Sequence, residues 1–587
     1  MSKLARGNKF EVGFRRDRDT HGCSVGGRAG GTGISQERAS TEQVPGEAEE
    51  HNGVFVRFLR GVEKVGNLLP HPFWLFVILG VIIVGLSAVL ELFGVESENP
   101  ADGELVEVQS LMTPEGFQRM VTDAVDNFVN FPPLGLIIIV MLGVAVAEGS
   151  GMIGATIRIV VSRVSRRWLT FTIALAGVTG SVASDAIYVI LIPLAAAAFK
   201  AAGRSAVLGA IVAFGAASAG YNASLVITAS DPLFAGISTA AAQLIDEDYV
   251  VSPIANYFFA AASAVVLALM ITLVTELLLV KMTDPMRRAE DREGGAAAAA
   301  LSVGRNNGSS EQTHGTDDEA GASGSELTDG DELLSYSPKE VRALLLSLVS
   351  LAGFLAIYFG LLFTPGSPFQ GEDGSALESA LVTDVAVPIA LAFIVVGVTY
   401  GVIAGTITSP SDLPEMMARS IKELSGVIVI FFAAAQFIAY FDWSNIGTVL
   451  AIEGARTLEQ WDLPVFVLFG GVVLLVALFN FFITSGSAQY TLMAPVLVPM
   501  LMLVGISPEV TQMLFRMGDS PTNIISPMSP YFALALGYLQ RYYPRAGVGT
   551  LLSLTLPISI TLLISWFLFF MLWYLIGIPL GPGVPVN

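Results

Sequence analysis

The chain has 587 residues, of which 53% are hydrophobic and only 14% charged. Soluble globular domains carry about 25% charged residues, so this composition excludes an ordinary soluble domain and points to a polytopic membrane protein. The net charge of −20 argues against a nucleic-acid partner, the single cysteine (Cys23) excludes an intrachain disulfide, and four histidines without an HExxH spacing argue against a zinc enzyme.

Residues 1–52 are polar and lack apolar periodicity, which predicts a disordered cytoplasmic tail. Residues 53–71 begin as an amphipathic stretch that predicts a helix at the membrane surface. The first transmembrane half covers 72–282. Its first span, 72–94, starts beside Arg57, Arg60 and Lys64 on the cytoplasmic side, and an acidic loop at 95–125 follows outside. A second span, 131–157, runs inward to Arg158, Arg163, Arg166 and Arg167.

The next apolar segment, 168–199, is basic at both ends and interrupted at Thr179-Gly180-Ser181 and Ser184-Asp185. That pattern predicts a re-entrant hairpin with a polar tip. A span at 205–240 is broken near Tyr221-Asn222-Ala223-Ser224 and ends at Asp246-Glu247-Asp248 outside, and 252–280 returns to Lys281. Residues 283–335 are rich in Gly, Ser, Asp and Glu and predict a disordered cytoplasmic linker.

The second half, 336–580, repeats the pattern ahead of a short tail at 581–587. Spans are predicted at 340–363, 385–407 and 425–450. A second hairpin, entering from outside, covers 463–502 with its tip at Thr484-Ser485-Gly486-Ser487. Span 510–540 carries Arg516, Gly518, Asp519, Ser520 and Pro521 in mid-course. Charges at the centre of a lone membrane helix cost about 2.5–3.5 kcal/mol each, so this span is expected to be broken at Gly518-Asp519-Ser520-Pro521 and shielded from lipid. Span 548–577 completes the chain.

The expectation is an all-α polytopic membrane protein with nine transmembrane helices and two oppositely oriented re-entrant hairpins. The N-terminus is cytoplasmic, the C-terminus outside, and the location is the cell (inner) membrane. The hairpin tips align without gaps, Ala186, Tyr188 and Pro193 falling on Ala488, Tyr490 and Pro495. The broken spans align too, Gly220, Pro232 and Phe234 on Gly518, Pro530 and Phe532. Inverted-topology repeats with discontinuous helices are the architecture of secondary transporters, of elevator or other alternating-access type. An intramembrane aspartyl protease using Asp185 and Asp519, or a channel, is the alternative.

Arg516 is the candidate carboxylate ligand, because a planar guanidinium binds carboxylates bidentately. The alternative is an internal pair with Asp519, one helical turn away. Asp519 and Asp185 are candidate proton or ion carriers, with hairpin-tip capping the other role open to Asp185. Tyr490 offers an aromatic platform or simple packing. Ser184, Asn222, Asn480, Ser485 and Asn523 supply neutral oxygens suited to sodium, or satisfy backbone groups freed at the breaks. Pro508 and Pro527 read as helix-breaking geometry and Asp231 as a helix cap, while Glu148 and Glu276 stay unassigned. No organic cofactor is expected, and the coupling ion is sodium or a proton.

Ser485-Gly486-Ser487-Ala488, Met493-Ala494-Pro495 and Arg516-Met517-Gly518-Asp519-Ser520 with Thr522-Asn523 resemble the AbgT family of p-aminobenzoyl-glutamate transporters. Ser184-Asp185-Ala186 and Asn480-Phe481 agree with it, over about 66–580. The resemblance implies a membrane-embedded homodimer with a separate path for a small-molecule substrate in each subunit. It also implies p-aminobenzoyl-glutamate uptake or ion-driven export of sulfonamide antimetabolites. The family's functional positions match at Asp185, Asn480, Ser487, Pro508, Arg516, Asp519 and Pro527. Where the family has Lys-Trp, this chain has Gln489-Tyr490, which bears on the substrate more than on the fold.

Overall fold

The computed structural model describes residues 70–98, 103, 105–288, 290, 334–370, 375–376 and 379–586. The tail 1–52, nearly all of the 53–71 stretch and most of the linker 283–335 lie outside the described residues. Among the described residues, eight helices are long and apolar enough to cross a membrane. They include α1 (Pro72–Leu92), α4 (Pro132–Gly149), α10 (Tyr257–Arg288), α11 (Pro338–Phe363), α12 (Ala386–Ala404), α13 (Asp412–Trp443) and α19 (Val548–Ile576). The remaining one is α16 (Gly486–Leu503), the second arm of the predicted second hairpin.

Between α1 and α4 lie a two-stranded antiparallel sheet, β1 (Glu96–Glu98) with β2 (Leu105–Glu107), and short helices α2 (Pro114–Thr122) and α3 (Ala124–Val129). Helix α5 (Met152–Arg163) extends the second span past a left-handed Gly151. Helix α10 runs on into the stretch read as linker. Span seven is also redrawn. Helix α13 ends at Trp443, Asn445 turns left-handed at φ 57°, and a separate α14 (Ile446–Trp461) begins. The polar stretch Asp442-Trp443-Ser444-Asn445 carries that turn between two apolar runs.

Helices α1 and α11 send bare apolar side chains outward, with Val81 69% and Val349 66% exposed. In a membrane chain such faces meet lipid. The polar business is kept inside by two repeated motifs. In the first, α6 (Leu169–Thr179) passes through a 3₁₀ turn, Gly180–Ala183, and a left-handed Ser184 (φ 45°) into α7 (Ala186–Ala201). The arms fold back on each other, Gly180 lying against Ile187 and Gly177 against Leu191. Then α8 (Ala206–Ala219) breaks at 220–229 and resumes as α9 (Ser230–Ala242).

In the second motif, α15 (Val465–Asn480) and α16 form the two arms, tied by Gln489 Nε2 donating to Val476 O at 2.9 Å. Helices α17 (Pro508–Asn523) and α18 (Pro530–Tyr542) follow. Here the expected position of the break is corrected. Gly518-Asp519-Ser520-Pro521 lies inside an unbroken α17, and the interruption falls at 524–529. Proline removes one backbone donor, but Thr522 Oγ1 donates to the carbonyls of Gly518 and Asp519, both at 3.0 Å. The carbonyl that Pro521 leaves without its helical donor is that of Met517, so these bonds brace the last turn of α17 rather than replace the lost one.

Each hairpin packs on the first segment of its own broken span, α6 and α7 on α8, α15 and α16 on α17. The second segments cross over. Helix α9 packs on α16, and α18 on α7 and α8. The two aligned glycines make the intimate contacts within each motif. A methyl group on Gly220 would stand 2.6 Å from Val178 Cγ2, and one on Gly518 would stand 2.6 Å from Val473 O.

Candidate functional site

Helix α17 is polar along much of its length, yet every residue from Pro508 to Thr522 is buried. Protein, not lipid, surrounds its charges, as the cost of charge in lipid demands. Arg516 Nη1 donates to Asp231 Oδ1 at 2.6 Å, with the two side chains 2% and 14% exposed. The guanidinium carbon also stands 5.1 Å from the Phe234 ring centroid. Arg516 Nε is buried and donates to no protein acceptor.

The internal pair with Asp519, the alternative reading of Arg516, is thus not the ion pair formed. The partner comes from the other half of the chain, at the first turn of α9. Asp231 is oriented for it by Thr228, whose N–H and Oγ1 both donate to Asp231 Oδ2, at 2.7 and 3.0 Å. Reading Asp231 as a cap missed this. Charge bookkeeping would have found it, since Arg516 and Asp231 are each intramembrane charges in need of a partner.

Asp519 faces the break in the first motif. Asn222 Nδ2 donates to Asp519 Oδ2 at 2.8 Å, and Asn222 N–H donates to Ser520 Oγ at 3.2 Å. Continuing the Gly220–Gly518 alignment pairs Asn222 with Ser520, so equivalent positions of the two motifs touch at the centre of the molecule. Asn480 Nδ2 reaches Asp519 O (2.7 Å), Thr522 Oγ1 (2.8 Å) and Asn523 Oδ1 (2.9 Å). Three buried oxygens, Asp519 Oδ1, Asn222 Oδ1 and Asn480 Oδ1, accept no hydrogen bond from the protein. Hard oxygens of this kind, one of them a carboxylate, suit a small hard cation.

The second hairpin tip closes on the same carboxylate. A methyl on Gly486 would sit 3.2 Å from Asp519 Oδ2. Beside it, Ser485 Oγ lies 3.2 Å from Ser487 Oγ and accepts from Ala488 N–H at 3.4 Å, which makes it the cap of α16. Pro508 opens α17 next to the capping Ser507, and Pro527 lies in the 524–529 interruption. The structure therefore brings together Asn222, Asn480, Asp519 and Asn523, with the Ser485–Ser487 tip alongside. Among the described residues, no hydrogen bond joins Ser184 to this group.

Asp185 likewise makes no hydrogen bond to this group among the described residues. It is exposed at the first tip, beside the Tyr531 hydroxyl, and it makes no capping bond to α7. A shared-proton aspartate pair, as an aspartyl protease requires, is not formed by Asp185 and Asp519. Tyr490 is fully buried. Its hydroxyl bonds Ser238 Oγ at 2.7 Å, and its ring packs on Phe515 (4.4 Å) and edge-on to Phe234 (5.5 Å). Of its two expected roles, the structure favours packing over an open platform. Gln489 is buried beside it, its Nε2 donating to the α15 backbone while its Oε1 has no protein partner.

A profile of the AbgT putative transporter family matches residues 57–303 and 321–587. The chain belongs to the AbgT family. It is 35% identical over 523 residues to the p-aminobenzoyl-glutamate transport protein of Escherichia coli (strain K12), covering 89% of this chain and 96% of that protein. Among solved structures, the Alcanivorax borkumensis YdaH transporter superposes with a TM-score of 0.75 at 37% identity, over 87% of this chain and all of that one. Neisseria gonorrhoeae MtrF, of a class of antimetabolite efflux pumps, superposes with a TM-score of 0.79 at 37% identity, over 90% of this chain and all of that one. This AbgT chain is thus a mostly helical membrane transporter acting on a small molecule.

Proposed function

We propose that this AbgT protein is an ion-gradient-driven secondary transporter of aromatic carboxylates of the p-aminobenzoyl-glutamate kind, of sulfonamide antimetabolites, or of both. One observation carries the reading: a buried guanidinium with an unpaired Nε and a buried carboxylate with an unpaired oxygen lie one helical turn apart on α17. The first is the chemistry that holds a substrate carboxylate. The second, with Asn222 and Asn480, is the chemistry that holds sodium or a proton. The names of the relatives supply the substrate classes.

In this reading the chain makes nine spans and two re-entrant hairpins inserted from opposite faces, with the N-terminus in the cytoplasm and the C-terminus outside the inner membrane. The functional unit is a homodimer. Substrate and ion meet where the hairpins and broken helices converge, and the inverted halves expose that place alternately to either side, as in other transporters of this build.

The test is flux of radiolabelled p-aminobenzoyl-glutamate into and out of proteoliposomes under imposed sodium or pH gradients. Flux that follows one gradient and vanishes in Arg516→Ala and Asp519→Ala, both still folded, is the expected result. Gradient-independent flux, or wild-type rates in both variants, would sink the reading.

A further inference from the structure

The geometry points to a separate recognition site for an arylamine, formed at the first hairpin tip by Asp185, Tyr531 and Tyr188. The inference rests on the transport reading above and assigns the two ends of the substrate to different places: the carboxylate to Arg516, the 4-aminophenyl ring to this site.

The Asp185 carboxylate is free of its ordinary duty. It occupies the N-cap of α7, where an aspartate usually accepts a backbone N–H, yet it makes no such bond and is exposed. The carboxylate lies beside the Tyr531 hydroxyl. Tyr531, on the first turn of α18, stacks face to face on Tyr188 with centroids 4.1 Å apart and planes 10° from parallel. Tyr188 is 2% exposed, whereas Tyr531 is only partly buried. One face of Tyr531 is therefore backed by a fixed ring while part of the residue stays accessible.

Comparison with the aligned motif sharpens the point. The counterpart of Tyr188 is Tyr490, whose cage is filled by Phe515 and Phe234. In the Gly220–Gly518 register the counterpart of Phe515 is Ala217, which offers Tyr188 only a backbone carbonyl, 3.5 Å from the Tyr188 hydroxyl. On Tyr188 that place is taken by Tyr531 itself, which is only partly buried, with the Phe214 ring also alongside at 6.4 Å. An arylamine presents what such a place selects: a flat ring to stack on tyrosine, and an N–H₂ group with two donors for an acceptor-only carboxylate. The p-aminobenzoyl and sulfanilyl groups share this end, so one subsite serves both substrate classes.

The experiment is equilibrium binding to the purified full-length protein, with radiolabelled p-aminobenzoyl-glutamate and with sulfanilamide, and with benzoyl-glutamate as the competitor lacking the amine. Asp185→Ala is expected to weaken both amine ligands about tenfold, the worth of one hydrogen bond to a charged group, while benzoyl-glutamate binds as before. Tyr531→Ala is expected to weaken all three, and Tyr531→Trp to restore them. Melting temperatures near wild type separate these losses from misfolding. Unchanged binding of both amine ligands in Asp185→Ala and Tyr531→Ala overturns the subsite alone. Wild-type protein that binds neither amine ligand overturns it together with the transport reading.

Discussion

Arg516 on α17 and Asp231 on α9 form an ion pair at 2.6 Å that joins the two halves of the chain across the centre of the protein. Removing one partner of a buried pair strands the other, at a cost of about 3–5 kcal/mol, whereas removing both costs far less. Asp231→Ala is therefore expected to lower the melting temperature in detergent sharply, and Arg516→Met combined with Asp231→Leu to recover most of the loss. An Asp231→Ala protein that melts like wild type would show that the pair does not stabilise the fold.

Asn480 spends one amide nitrogen on three acceptors around the end of α17. Asn480→Ala should cost about 1–3 kcal/mol, the range for buried groups left unsatisfied. Asn480→Asp should cost more, because it puts a negative oxygen against the same acceptors. Equal melting temperatures for the two variants would refute that ordering.

The aligned glycines give a steric test. Gly518→Ala and Gly220→Ala bring a methyl against tightly packed neighbours, so each should destabilise by about 1–3 kcal/mol. Gly537 lies exposed within α18, and a methyl added there would meet nothing within 4 Å. Gly537→Ala should instead stabilise by about 0.5–1 kcal/mol. Thermal unfolding of the three variants side by side decides it.

Tyr490→Trp restores the aromatic residue usual in the family, but the cage around Tyr490 is closed. The larger indole is expected to overpack it, costing about 1–3 kcal/mol. A Tyr490→Trp protein with undiminished stability would mean that the cage opens readily and would reinstate Tyr490 as a platform.

Glu290 lies just beyond α10 and accepts from Ser205 Oγ (2.9 Å), Ala206 N–H (3.2 Å) and Val207 N–H (3.4 Å) at the start of α8. Burial pushes its carboxyl above the usual 4.5, with those hydrogen bonds pulling the other way. A raised carboxyl binds its proton more readily in the folded state. Its contribution thus favours folding below the ordinary value and is lost as pH rises through the raised one. Glu290→Gln should flatten this part of the melting-temperature profile between about pH 4 and pH 8. An unaltered profile would show that the carboxyl does not titrate differently on folding.

Much of this was legible in the sequence, and the failures share a cause. Both hairpin tips and the first break were marked by clusters of Gly, Ser, Asp and Asn within apolar runs, because local chemistry decides them. The second break was misplaced because Gly518-Asp519-Ser520-Pro521 stays inside α17, and where the sequence offers Asp519 as the alternative partner for Arg516 the structure supplies Asp231. The sequence leaves Tyr490 open between platform and packing, and the residues against its ring, Phe515 and Phe234, are not its neighbours in sequence. Each miss turns on contacts that only the folded chain assembles, as when Asn480 reaches Asp519 or α9 brings Asp231 to α17. Periodicity along one segment carries no record of them.

The crossed packing of α9 on α16 and of α18 on α7 and α8 also governs how the molecule is made. When the ribosome has finished α9, one surface that helix rests on, α4, is in place, but another, α16, has not yet been synthesised. The early half must wait in the bilayer with its Asp231 carboxylate lacking Arg516 until α17 arrives, and only about the last sixth of translation supplies α16 and α17. Fragments that end before α16 should accordingly be captured by membrane quality control, while fragments co-expressed from both sides of the linker should find each other and fold.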